Sequence, residues 1–203
     1  MRLLYPRAIW RVNPAINQVY LTFDDGPVPE VTPEVLKILK ETGVKATFFC
    51  IGDNVRKYPD LYKRIIDEGH LTANHTFHHL NGFKTPTAKY MNDIAQCEAL
   101  VKGRFFRPPY GRMKPLQYIS VNSRFKVIMW DVLSGDYDAD INSEQCRANV
   151  LKYCRSGSVI VFHDSLKAAA NMLPILSEVI TTLKQTYAFA RIDNMEDIKH
   201  GNA

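Results

Sequence analysis

Val19-Tyr20-Leu21-Thr22-Phe23-Asp24-Asp25-Gly26-Pro27 is a β-branched and aromatic run that breaks at two adjacent carboxylates and a Gly-Pro turn. It reads as a buried strand that leaves its sheet at Asp24-Asp25. In a continuing strand successive side chains point to opposite faces, so the turn is what lets both carboxylates reach one pocket. Asp-Gly-Pro is also ordinary turn chemistry, and the pair alone does not establish a site.

Working outward, similar runs lie at 46–51, 70–75, 105–109, 125–131, 158–163 and 188–193, which with 19–23 makes seven strand candidates. Between them, segments 32–41, 59–68, 87–102, 114–122, 143–154 and 169–186 repeat Leu, Ile and Val at helical intervals, with Gly43 and Gly69 as stop signals. The pattern is βαβα throughout, and the fold class is α/β with a parallel sheet. The pattern leaves open whether that sheet closes into a barrel or stays doubly wound. Either architecture places ligands at the carboxyl ends of the strands.

The 203 residues carry 46% hydrophobic and 23% charged side chains, an ordinary globular balance, and they show no repeat or Gly/Ser linker that would mark a second domain. We read 1–203 as a single domain, with 1–18 an N-terminal extension packing on it. A chain this long buries enough apolar surface to fold without a structural metal, so any metal serves chemistry. Charges of 26 basic against 21 acidic give +5 with no polybasic block, which does not call for nucleic acid as a partner. The four cysteines, Cys50, Cys97, Cys146 and Cys154, lack metal-type spacing and read as reduced thiols. No stretch is long and apolar enough for a membrane span, and residues 1–11 lack the apolar core of a signal peptide. The expectation is a cytoplasmic protein as the sequence stands, or a periplasmic or secreted one if a leader has been trimmed.

Polar groups cluster where the predicted strands end. After 70–75 comes Asn74-His75-Thr76-Phe77-His78-His79, with three of the chain's six histidines within five positions. His75 and His79, four apart, can face the same side in a helix or an extended run, and imidazole pairs at this spacing suit zinc. One carboxylate from Asp24 or Asp25 completes a two-His, one-carboxylate set with positions open for water and substrate. Arg107-Pro108-Pro109-Tyr110-Gly111, Trp130-Asp131 through Gly135-Asp136-Tyr137, and Val161-Phe162-His163-Asp164 stand at three more strand ends. Individually each has a plain reading: Arg107 as an ion-pair partner, His163-Asp164 as a helix cap. Their one-sided placement points to an active site.

Taken in order, these five motifs resemble those of the polysaccharide deacetylases with a NodB-homology domain, carbohydrate esterase family four, over residues 20–192. The resemblance implies a distorted (β/α)7 TIM-like barrel and a metal-dependent hydrolase that removes N-acetyl groups from N-acetylglucosamine-type sugars of peptidoglycan-like or chitin-like glycans. It assigns Asp25, His75 and His79 to one divalent metal, zinc foremost, with cobalt, nickel or manganese as alternatives. Asp24 is then the general base and His163 the general acid. Arg107 holds Asp24, Asp136 holds His163, and the Tyr110 backbone N–H helps polarise the substrate carbonyl. Three positions depart from the family pattern: Tyr137 replaces a usual Trp, Val161 a frequent Leu of the acetyl pocket, and Leu80 a common Pro. They bear on the shape of that pocket, lined by Tyr137 and Val161, and on the tuning of His163. Rival readings are the same fold and metal acting on a small amide or cyclic imide, a non-haem iron oxygenase, and a catalytically silent glycan-binding barrel.

Overall fold

In a computed structural model, which describes residues 2–195, the first strand β1 (Gln18–Asp24) is buried along all but its first residue. A strand covered on both faces must be so. It pairs in parallel with β2 (Thr47–Cys50) and β7 (Val159–His163). The sheet continues through β3 (Leu71–Asn74), β4 (Phe105–Phe106) and β5 (Lys126–Val127) on one side and β6 (Val132–Leu133) on the other, in the order β5-β4-β3-β2-β1-β7-β6. This curled path of parallel strands, wrapped by helices, is a distorted (β/α)7 barrel.

The helices are α1 (Thr32–Thr42), α2 (Gly52–Lys57), α3 (Pro59–Asp67), α4 (Thr87–Leu100), α5 (Pro115–Asn122), α6 (Ser143–Tyr153) and α7 (Leu166–Lys184). Gly43 ends α1 at φ 67°, the left-handed cap expected of it. No helix among the described residues is long and apolar enough to cross a membrane.

Strand parity sorts the side chains. Val19, Leu21 and Phe23 join Ile160 and Phe162 in the apolar layer beneath the helices. Tyr20 and Val159 fill the barrel interior at its amino end, in one cluster with Phe49, which lies in register with Asp24. Above them the interior positions are Thr22 and Asp24 on β1 and Val161 and His163 on β7. Their registers match, Thr22 opposite Val161 and Asp24 opposite His163, so both polar residues face the same space.

Three sequence expectations change. The run 125–131 supplies only β5, with β6 starting just beyond it, because the peptides between them are used otherwise: the Ile128 and Met129 carbonyls accept from Arg107. The run 188–193 supplies only β8 (Ala188–Phe189), which pairs with the amino end of β1. Helix α2 was not expected from its sequence. It forms because the Gly52 and Asp53 N–H groups donate to the Thr76 and Phe77 carbonyls at 3.0 and 2.9 Å, and a Cβ at Gly52 would lie 2.6 Å from the Phe77 ring.

Among the described residues β5 and β6 do not pair. Residues 8–12 occupy the seam, where the Ile9 N–H donates to Val127 O and the Met129 N–H to Ile9 O, both at 2.8 Å. Further along, the Val12 N–H reaches Gly157 O at 2.8 Å. Tyr5, buried, anchors this strap by donating its hydroxyl to Met113 O at 2.8 Å and accepting from the Met113 N–H at 2.7 Å.

Candidate active site

A cavity of about 520 Å³ opens at the carboxyl ends of the strands, and Asp24, Asp25, His75, His79, Tyr110, Tyr137, Val161 and His163 all line it. Arg107 and Asp136 stand directly behind this wall, both fully buried.

Asp24 ends β1, and its Oδ1 accepts from Arg107 Nη1 at 2.6 Å. The other Arg107 donors reach Thr22 Oγ1 at 2.8 Å, Ile128 O at 3.2 Å and Met129 O at 3.0 Å, while the guanidinium lies 4.0 Å from the centre of the Phe49 ring. Burial lowers the Arg107 pKa and the Asp24 charge works against that loss. The Asp24 Oδ2 is left directed toward His75, whose Nε2 is 4.0 Å away.

Asp25 leaves the strand with φ 86°, which swings its carboxylate to the same side as Asp24. Its Oδ1 lies 3.7 Å from His75 Nε2 and 3.2 Å from His79 Nε2. The two histidines meet in neither a helix nor an extended run: Thr76 and His79 take φ of 63° and 55° in a tight loop. That loop is held by Asp93, whose Oδ2 accepts the Phe77 and His78 N–H groups at 2.8 and 2.9 Å and whose Oδ1 meets His78 Nδ1 at 2.6 Å. His75 Nδ1 donates to Arg107 O at 2.8 Å, which fixes the tautomer with its Nε2 lone pair toward Asp25. Burial pushes His75 down to about 4, so it is neutral with that lone pair available at neutral pH.

These three residues fit a divalent ion. Asp25 Oδ1 is buried and accepts no hydrogen bond, and the ligand atoms of Asp25, His75 and His79 lie within 4.8 Å of one another. Bonds of about 2.0–2.1 Å at tetrahedral angles place neighbouring ligand atoms roughly 3.3 Å apart, near the 3.7 and 3.2 Å between Asp25 Oδ1 and the two imidazole nitrogens. Burial alone would raise Asp25, but the His79 contact and the neighbouring imidazole charges hold it well below the usual carboxylate range, ionised as a ligand must be.

Across the cavity His163 Nδ1 pairs with Asp136 Oδ1 at 2.7 Å, while Asp136 Oδ2 accepts the His163 N–H at 2.7 Å. Burial would depress this imidazole, but the Asp136 bond and charge outweigh it and push His163 up to about 9. Tyr137 stands edge-on to His163 with ring centres 5.0 Å apart. Its hydroxyl makes no hydrogen bond among the described residues, so it does not brace Asp136. Tyr110 has φ 61°, and its ring lies tilted at 49° against that of His79 with ring centres 4.7 Å apart. Turn bonds from the Gly111 and Arg112 N–H groups leave the Tyr110 N–H without a partner among the described residues.

Sequence reasoning missed Arg112 and Lys167, which also line the cavity. Each stands within four residues of a motif residue, but exposed basic side chains carry no pattern of their own. Asp131, grouped with the strand-end residues, pairs instead with Arg155 at 2.9 Å and with Ser158. Asp164 is no helix cap; it binds Gly26 and Thr32.

The family described as polysaccharide deacetylase matches over residues 11–124. The chain belongs to the polysaccharide deacetylase family. This polysaccharide deacetylase domain is 31% identical over 199 residues to a peptidoglycan-N-acetylglucosamine deacetylase of Bacillus cereus, covering 94% of this chain and 93% of that one. A second Bacillus cereus protein of that name is 38% identical over 155 residues, 73% of this chain, which spans 56% of that relative's length. Among solved structures, the Bc1960 peptidoglycan N-acetylglucosamine deacetylase in complex with 4-naphthalen-1-yl-N-oxidanyl-benzamide superposes with a TM-score of 0.88 at 32% identity, covering 93% of this chain and 92% of that one.

The donor set yields a direct check. Chelator-stripped protein reloaded with zinc is expected to hold one ion per chain by elemental analysis. His75→Ala and His79→Ala are expected to lose it while keeping the wild-type circular dichroism spectrum, since the core does not depend on the loop. Full metal content in the double variant contradicts the assignment.

Proposed function

We propose that this chain is a metal-dependent deacetylase that hydrolyses the N-acetyl group of an N-acetylglucosamine-type sugar in a peptidoglycan-like glycan. The observation that carries the reading is one cavity in which the Arg107-bound carboxylate of Asp24 and the Asp136-bound imidazole of His163 face each other across a three-residue ligand set. Two relatives named for peptidoglycan deacetylation support it.

Asp25, His75 and His79 would hold the ion. When bound, a divalent ion supplies Lewis acidity toward the acyl oxygen and acidifies water. The protein's own groups do the rest. Asp24, with Oδ1 tied to Arg107, presents Oδ2 to accept a proton from the attacking water. The Tyr110 N–H donates to the acyl oxygen as negative charge develops there. His163, held through Nδ1 by Asp136, carries its second proton on Nε2 facing the cavity and delivers it to the sugar nitrogen as the C–N bond breaks. An amine leaves poorly unless protonated, which is why a second proton-transfer group is needed. Val161 and Leu133 supply apolar wall for the acetyl methyl, and Tyr110, 57% exposed, a ring face for the sugar.

Arg112 and Lys167 favour a carboxylate-bearing glycan over a neutral one. On the cavity floor Asp24 is paired with Arg107 and Asp136 with His163, and the remaining carboxylate, Asp25, is the one that would face the ion. Neither rim cation has an ion-pair partner among the described residues; Lys167 Nζ rests 5.7 Å from the Tyr137 ring.

Acetate release from a panel of N-acetylated oligosaccharides tests the reading. Wild-type zinc protein is expected to release acetate, faster from peptidoglycan-type than from neutral chitin-type fragments. Asp24→Asn should keep the metal and lose roughly 10²–10⁴-fold in turnover. No acetate from any member of the panel, with metal bound, contradicts the proposal.

The pH profile carries a second expectation. His163, raised to about 9, is protonated below that value, so the rate should hold through neutrality and fall as pH rises through about 9. Asp136→Asn removes the charge that opposes burial, so the descending limb should move to lower pH by at least about one unit. An unmoved limb would mean that another group donates the proton.

A further inference from the structure

We propose that Asp164 is a positioning residue whose carboxylate, behind the cavity wall, holds the loop 24–26 in the conformation that presents Asp24 and Asp25 to the site. The inference rests on the reading of Asp25 as a metal ligand and goes beyond it, since Asp164 lines no part of the cavity and is fully buried.

The bonds fall on either side of Asp25. Asp164 Oδ1 accepts the Gly26 N–H at 3.0 Å, and the Asp164 N–H donates to the Asp24 carbonyl at 3.0 Å. The peptides flanking Asp25 are thus both tied to one residue, the neighbour of His163. Asp25 between them has φ 86°, a conformation that disfavours side chains and persists only where the surroundings dictate it. Its own carbonyl is fixed by Asn54 Nδ2 at 2.8 Å and the Gly26 carbonyl by the Ile51 N–H at 3.0 Å.

The second carboxylate oxygen sets the direction of the first. Asp164 Oδ2 accepts the Thr32 hydroxyl at 2.6 Å, and that hydroxyl accepts the Val28 N–H at 2.8 Å, so its hydrogen is directed to the carboxylate. Two donors converge on two oxygens; an amide at position 164 keeps the Gly26 bond through its oxygen, but its NH₂ has to take the second lone pair of the Thr32 hydroxyl and turn that hydroxyl's hydrogen away. Contact is close enough to exclude any side chain at position 26: a Cβ there would lie 1.9 Å from Asp164 Oδ2. Gly26 is therefore required by Asp164 and not by its own backbone angles.

The test is zinc affinity measured by competition with a chromophoric chelator, on wild type, Asp164→Asn, Thr32→Val and Thr32→Ser, with circular dichroism and thermal unfolding as controls. Partners that orient a metal ligand cost about 10–100-fold in affinity when removed. Asp164→Asn is expected to lose about tenfold or more in zinc affinity while folded, and to lower kcat with KM changed less than about twofold, because it touches no substrate wall. Thr32→Val should weaken zinc binding in the same direction by less, and Thr32→Ser should restore it. A residue that only stabilises the fold would lower the melting temperature and leave the affinity of the folded protein unchanged. Zinc binding within about twofold of wild type in Asp164→Asn, or in Thr32→Val should Asp164→Asn not fold, overturns the inference alone. Absence of zinc binding by the wild type overturns the metal site and the inference with it.

Discussion

A guanidinium with no exposed surface, Arg107, sits at the centre of this barrel and has to be paired in full. A buried charge left without partners costs several kcal/mol. Here Asp24 supplies the counter-charge, Thr22 and two carbonyls take the remaining donors, and Phe49 covers the planar face. Much of the local structure follows from this pairing. The Ile128 and Met129 carbonyls are drawn inward to Arg107, so the chain between β5 and β6 cannot continue as one strand. The seam this opens is filled by the strap at Ile9, which bonds to the same stretch of backbone. The Arg107 carbonyl in turn accepts from His75 Nδ1, so a single residue orients both the proposed base and a proposed metal ligand.

Electrostatics then divides the labour. His75 and His163 are both buried imidazoles, yet they are pushed in opposite directions, to about 4 and about 9: burial wins at His75, where the Asp24 charge and the Arg107 carbonyl only partly oppose it, while at His163 the Asp136 hydrogen bond and charge outweigh burial. One can give a lone pair to a cation while the other holds a proton. Strain is concentrated in the same place: the non-glycine residues with positive φ among the described residues, Asp25, Thr76, His79 and Tyr110, all belong to the loops around the cavity. Each costs on the order of 1–3 kcal/mol. Asn54, Asp93, Arg107 and Asp164 supply the bonds to backbone and side chain that hold those loops.

The sequence made β1 and β7 legible because buried parallel strands are continuous apolar runs, and their polar residues were legible because they stood at one end. Asp24, Asp25, His75, His79 and His163 do converge on one cavity. Other features were hidden for identifiable reasons. The run 125–131 looked like one strand because its hydrophobicity reflects burial, whereas its hydrogen bonds go to Arg107 and Ile9, residues far away in the chain. Helix α2 is short and built on Gly52, Asp53 and Asn54, poor helix formers, and the Gly52 and Asp53 N–H groups are satisfied by the histidine loop. The spacing of His75 and His79 suggested a regular element, but a loop with two left-handed residues brings them together. Asp164 read as a helix cap because local sequence cannot show a hydrogen bond to Gly26.

The central claim, that the pairing of Arg107 with Asp24 organises the site, is tested most directly by a double-mutant cycle on unfolding free energy with Arg107→Met and Asp24→Asn. Each single change leaves a buried polar partner uncompensated and is expected to cost about 3–5 kcal/mol. The double variant, with no charge left unpaired, should be less destabilised than the sum by at least about 1 kcal/mol. Additivity within about 0.5 kcal/mol would contradict the account, since it would mean that the two side chains contribute independently.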